Sequence, residues 1–308
     1  MKTSAPGHGD ICTNVHGDTH ALTTPGADPE LRTVLSALRL HHNLPLLFGG
    51  AIQSAVDYVL DGARTGRFDL SSPLVDSDER RTVGTKLQYH LLDALGLPKL
   101  RSPDTLISGI PVDIKGTVGD NWSIPREAQC ELCILVKIDV QRDRHSAWLM
   151  RTHRAWLHGG QGNRDQKRGV IAAALQRHAI ALYPETAMSR NPLRLLDDDG
   201  IAAVFNPNAG LVLRLTELFT RLPEVVFPRH SIETVGFQLH DPLRRARQAK
   251  ERVREAGFDL LVETWVHERE RAESLGFELP KDGWVAVPHD KSASTDGSAS
   301  MNAWEQGW

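Results

Sequence analysis

Apolar positions along the chain fall into blocks of two different periods. In AIQSAVDYVLDG, Ile52, Ala55, Val56, Val59 and Leu60 recur at helical spacing, which predicts a helix with one buried face. A second helix is predicted over residues 82–95, with Leu87, Leu91 and Leu92 inward and Gly96 as its stop. The period then changes. TLISGIPVDIKGT alternates apolar and polar side chains over residues 110–115, and ELCILVKIDV and SAWLMRTH read as two further strands. Helices followed by strands predict an α/β fold with a mixed β-sheet flanked by helices.

Beyond the polar stretch HGGQGNRDQKRG, the segment VIAAALQRHAIALY reads as a helix, and a domain boundary is expected near it. The second half reads as a helix (GIAAVFNPNAGLVLRLTELFTRL), a short strand (HSIETVGFQ), a helix over residues 242–256, a strand (FDLLVETW) and a helix (HERERAESLG). Asp241 suits the N-cap of the third element and Pro242 its first position. The expected organisation is a flexible tail over 1–28, one domain over 29–170, a second α+β domain over 171–290 and a disordered tail over 291–308.

Composition adds limits. With 40% hydrophobic and 24% charged residues the chain reads as globular, and no run nears the ~18 apolar residues of a membrane span. The N-terminus lacks a signal-peptide apolar core, so a cytoplasmic protein with no membrane partner is expected. Three cysteines do not make a disulfide framework, and the Cys130/Cys133 pair sits in a run that reads as a buried strand, which gives both a structural reading. His16 and His20 have metal-like spacing near Cys12, but lie in the stretch read as tail. A net charge of −3 advertises no nucleic-acid partner, although basic residues cluster over 64–67, 142–154 and 244–254.

The chemistry concentrates in PDTLISGIPVDIK. Asp104 follows a proline, eight residues intervene before Asp113, and Lys115 lies two further on. On a strand, Asp113 and Lys115 share a face while Ile114 points into the core, its carbonyl oxygen left able to join a metal's ligands. Two carboxylates suffice for Mg²⁺, which prefers hard oxygen ligands and keeps several waters. A nearby lysine can orient or deprotonate the attacking water of phosphodiester hydrolysis. Charged residues inside an apolar strand cost stability unless they line a cleft.

The order of helix, PD…DxK strand and following strands resembles the PD-(D/E)xK nuclease core. More closely, DYVLDGARTGR, GTKLQYHLL, TLISGIPVDIK, GDNWSIPREAQCELCILV and GNRDQKR are similar to the NaeI-type family of type II restriction endonucleases. That resemblance implies a homodimer cutting both strands of a palindromic site in double-stranded DNA. A C-terminal winged-helix domain would bind a second DNA copy as effector, and a cognate DNA methyltransferase would share the host. Asp104 and Asp113 would be the metal ligands and Lys115 the catalytic lysine. Gln88 stands where the family places a glutamate, and it brings an amide oxygen without charge.

For DNA contact, Arg64 and Arg67 are expected in a loop free to meet phosphate, and Asn121 and Arg126 in a turn able to read base edges. Arg244 and Arg245 belong to the arginine-rich helix, read either as phosphate-binding or as a solvated face paired with Glu251 and Glu255. Two alternatives stand beside the leading one: a repair-type nicking endonuclease, and a catalytically silent winged-helix DNA-binding regulator.

Overall fold

The computed structural model describes residues 11–159 and 166–289. They divide into two compact units: residues 11–61 with 68–159 and 166–190, and residues 62–67 with 191–289.

The first unit opens with a hairpin of β1 (Ile11–Thr13) and β2 (Thr19–Ala21), followed by α1 (Pro29–Leu38) and α2 (Leu44–Leu60). Residues 11–28 are therefore structured rather than a flexible tail. The cause lies in their long-range partners. Asp28 caps α1 through Leu31 N at 3.0 Å and also accepts from Arg151 Nε at 2.7 Å. Arg151 reaches Glu30 Oε2 at 2.6 Å, and Asn14 donates to Glu131 at 2.6 Å. Cys12 and Cys130 are joined as a disulfide, with Cα atoms 6.1 Å apart, so two of the three cysteines are paired despite the sequence expectation. Cys130 precedes the strand at φ +71°, a turn that aims it away from Cys133.

After α2 comes α3 (Gly62–Thr65), a single turn of the second unit, and then α4 (Ser77–Ala94). A capping box of Asp76 and Glu79 starts α4 earlier than the apolar period alone indicated. Gly96, at φ +65°, follows its end.

The sheet contains β3 (Thr105–Ile107), β4 (Ile110–Thr117), β5 (Leu132–Asp139), β6 (Arg144–Arg151) and, beyond α5 (Ala172–His178), β7 (Ile180–Ala187). Its order is β3-β4-β5-β6-β7, with β4 and β5 parallel and the other pairs antiparallel. Ser108 and Gly109, both at positive φ, make the tight turn between β3 and β4. One face, including Val112, Ile114, Ile134 and Leu149, packs with α1, α2 and α4. On the other, Cys133, Leu135 and Met150 meet Trp122, Ile124 and Leu157.

The helix expected over VIAAALQRHAIALY is thus only half helix. Ala179 ends it, and the remainder is an edge strand in which Pro184 falls at a register irregularity, where its missing N–H is tolerated. Because β7 belongs to this sheet, the units divide after Arg190 rather than at residue 170.

The second unit continues with α6 (Asp198–Val204), α7 (Leu211–Arg221), α8 (Arg229–Val235), α9 (Pro242–Gln248) and α10 (Lys250–Glu255). Then come β8 (Phe258–Val262), α11 (Val266–Ser274) and β9 (Trp284–Pro288). β8 and β9 pair antiparallel, and Phe227 bridges to Trp284. Two expectations differ here. Residues 206–210 break the single helix into α6 and α7, and HSIETVGFQ is helical, burying Ser231, Ile232 and Val235 on one face. The tail expected over 291–308 lies outside the described residues.

Candidate active site

Asp104, Asp113 and Lys115 come together at the β3–β4 edge of the sheet. Lys115 Nζ lies 2.9 Å from Asp113 Oδ2 and 3.6 Å from Asp104 Oδ2. Asp104 N donates to Asp113 Oδ1 at 3.2 Å, and Ile114 N donates to Asp104 Oδ2 at 2.8 Å. Both aspartates are buried, while Lys115 keeps part of its surface. The Ile114 side chain is in the core as expected.

Charge in this cluster is unevenly balanced. Burial pushes the Asp113 carboxyl above the ordinary carboxylate range; Lys115 opposes this, and the neighbouring Asp104 adds to it. Burial acts in the same direction on Asp104, yet Lys115, Lys99 and the Ile114 amide outweigh it and hold Asp104 below that range. Burial would lower Lys115, but Asp113, with Asp104 further off, keeps it raised and protonated. Beneath them Cys133, opposite Asp113 in the register, is pushed up to about 12 by burial and then by Asp113, which leaves it an inert thiol.

Gln88 reaches the same place from α4. With its amide nitrogen turned toward the acid, it donates to Asp104 Oδ1 and Oδ2 at 3.2 and 3.3 Å. That reach depends on close helix–strand packing. A Cβ on Gly84 would meet Gly116 O at 2.7 Å, and one on Gly116 would meet Gly84 O at 2.7 Å, so glycine is required on both sides. Lys99, 2.5 Å from Asp104 Oδ1, was not foreseen; only its nearness in sequence hinted at it.

Gln88 and Lys115 line a cleft of ≈ 870 Å³, along with Arg81, Ser123, Glu127 and Lys167. The other sequence candidates are scattered. Asn121 lines this cleft too, but its amide is engaged, donating to Val170 O at 2.8 Å and accepting from Val170 N and Trp122 N. It fastens the turn while remaining exposed. Arg126 is exposed and has no side-chain hydrogen bond or ion pair among the described residues. Arg64 is not the free loop residue expected. It sits in α3 with its guanidinium 4.9 Å from the Phe237 ring, and Arg67 just after that turn also has a partner. Arg244 and Arg245 are exposed on α9, and Arg245 donates to Gln248 at 2.9 Å. Lys250 is not on the open face, since it pairs with Glu268 and lies over Trp265 at 3.9 Å.

An acid pair and a lysine on a mixed-sheet edge, with a helix-borne amide at a cleft, fit a metal-dependent nuclease core. The family model described as restriction endonuclease NaeI matches residues 34–302, and the chain belongs to that family. It is accordingly a type II restriction endonuclease, a phosphodiester hydrolase acting on DNA, of a kind that generally uses divalent metal ions. No curated protein matches it. No helix among the described residues is long and apolar enough to cross a membrane.

Proposed function

We propose that the chain cuts both strands of a palindromic DNA site as a Mg²⁺-dependent homodimer, with Asp104, Asp113 and the Ile114 carbonyl holding the ion. The observation that carries this is Lys115 Nζ poised between two buried carboxylates at the edge of a cleft of ≈ 870 Å³. The donor set fits the ion. Asp113 is disfavoured as an anion by its burial and by Asp104, which a divalent cation between the two would relieve. When bound, Mg²⁺ supplies charge neutralisation at the phosphate and a water of lowered pKa.

Lys115, protonated through its contact with Asp113, orients a water toward phosphorus and offsets charge on the phosphorane. Lys99 and the Ile114 amide fix the Asp104 carboxylate by taking one oxygen each. Gln88 holds the same carboxylate by hydrogen bonds without adding a third negative charge. Arg126 lies exposed beside the cleft's Glu127, in reach of a groove edge or a phosphate.

The second unit is read as a winged helix that binds a second DNA copy as effector. What supports this is its order: α7, the Phe227 bridge, α8, the α9–α10 helix, then the β8–β9 pair. Arg244, Arg245, Arg247, Arg252 and Arg254 are exposed on that helix. Neither Glu251 nor Glu255 forms an ion pair among the described residues, and Arg254 approaches an acid, Asp259, only at 3.9 Å, which favours phosphate over internal pairing as the arginines' counterpart. A cytoplasmic enzyme sharing its host with a protecting methyltransferase completes the reading.

The test is digestion of a mapped plasmid with Mg²⁺, followed by sequencing of the ends. Linear product with a single end sequence is expected, abolished by a chelator and by Asp113→Asn. Persistent nicking without linear product would instead select the nicking reading, and DNA binding without any cut would select the silent regulator.

A further inference from the structure

Two cysteines and two histidines outside the nuclease centre converge where the N-terminal hairpin meets the end of the β5–β6 ladder. Cys12 stands directly opposite His20 in the β1–β2 register. Past Leu132↔Arg151, Cys130 N donates to Thr152 O at 2.8 Å and Thr152 N to Glu131 O at 2.9 Å, so Cys130 stands at a bulge opposite Thr152, next to His153. Each hairpin end thus offers one cysteine and one histidine. Cys12, Cys130 and His153 are all buried, and a ligand atom from each lies within 4.8 Å of the others.

The sulfurs are joined to each other, but a disulfide gives no account of the imidazoles. His153 is 1% exposed, and its Nδ1 has no hydrogen-bond partner. His20 Nε2 is likewise buried and unpartnered, while His20 Nδ1 lies 3.8 Å from Glu30 Oε2. A carboxylate behind one ring nitrogen with the other left bare is how metal-bound histidines are commonly held. His145 also has an unpartnered nitrogen, but it belongs to no cluster of metal-binding groups among the described residues.

We propose that Cys12, His20, Cys130 and His153 form a structural zinc site that fastens the N-terminal hairpin to the sheet. Two thiolates and two neutral imidazoles are a common zinc donor set. Tetrahedral Zn–S of about 2.3 Å and Zn–N of about 2.0 Å space donors roughly 3.3–3.8 Å apart, within the compass of this cluster. His20, opposite Cys12 in the hairpin and with Nε2 bare, lies outside the 4.8 Å group of the other three and would supply the fourth donor. A thiol reductant first opens the Cys12–Cys130 disulfide, supplying two electrons and two protons and itself becoming a disulfide; zinc then displaces one proton from each thiol, and the thiolates balance the ion's charge.

The full-length chain, purified under reducing conditions without chelator, is assayed for zinc by elemental mass spectrometry. About one equivalent per chain is expected, lost in Cys12→Ser and in His153→Ala but retained in Cys133→Ser and Asp113→Asn. Cobalt substitution of the unaltered chain, which does not depend on any variant folding, is expected to give a thiolate-to-cobalt charge-transfer band and tetrahedral d–d bands. A metal-free chain with an intact Cys12–Cys130 crosslink by peptide mapping would overturn the proposal. So would zinc that survives Cys12→Ser or departs with Asp113→Asn.

Discussion

Two buried charge clusters stand on the same sheet, and they are built on opposite terms. Around Arg151, Asp28 accepts two hydrogen bonds from the guanidinium and Glu30 a third. Burial opposes ionisation of both Arg151 and Asp28, yet their pairing wins: Asp28 is held below the ordinary carboxylate range and Arg151 is raised. Around Lys115 the acids divide, Asp104 lowered and Asp113 raised. One cluster is satisfied as it stands; in the other, Lys99 and Lys115 match the two acids in number, yet Asp113 stays disfavoured as an anion by its burial and by Asp104. The contrast separates charge that fastens a structure from charge that awaits a cation, and burial alone does not distinguish them.

The contrast can be broken from either side. Lys115→Met should lower the cleavage rate by about 10²–10⁴-fold while leaving DNA binding nearly unchanged, checked by single-turnover kinetics and gel shift. Arg151→Met should do the reverse. It leaves Asp28 buried without its partner and should cost about 3–5 kcal/mol in denaturant unfolding, with normal activity per folded molecule.

The two aspartates should respond oppositely to neutralisation. A raised Asp113 contributes stability only while protonated, and that contribution is lost as pH rises past the ordinary carboxylate range. Asp113→Asn should therefore raise the melting temperature of the metal-free protein at neutral pH while abolishing cleavage. A lowered Asp28 contributes stability above that range and loses it as pH falls through the lowered value. Asp28→Asn should lower the melting temperature at neutral pH and flatten its decline in acid. If both variants shift the same way, the distinction drawn above is wrong.

Smaller effects test the frame around the site. Gly84→Ala drives a Cβ against Gly116 O and should cost about 1–3 kcal/mol, with reduced cleavage as Gln88 moves off Asp104. Gln88→Glu should give the smallest change: tighter metal binding by calorimetry, with a slightly lower melting temperature without metal, because a third acid joins the cluster.

The strand of the candidate site was legible because GIPVDIK alternates cleanly, and alternation fixes which side chains share a face. Gln88 was legible by resemblance, but its hydrogen bonds to Asp104 depend on the Gly84–Gly116 contact, which no local pattern encodes. Lys99 and the burial of residues 11–28 were hidden for a related reason: their partners are far away or set by loop geometry. HSIETVGFQ misled because its β-branched residues favour a strand, whereas packing chose the face shared by Ile232 and Val235. In IALYPETA a proline beside a helical run concealed an edge strand, since edge position cannot be read before the sheet exists.

The Asp28–Arg151 pair also bears on how the chain is made. Its two halves lie 123 residues apart, so during synthesis the N-terminal hairpin leaves the ribosome long before its anchor does. Asp113 and Lys115 emerge in between. The hairpin is therefore among the last segments of its unit to dock: Cys130 reaches it first, and its ionic anchor only when Arg151 appears.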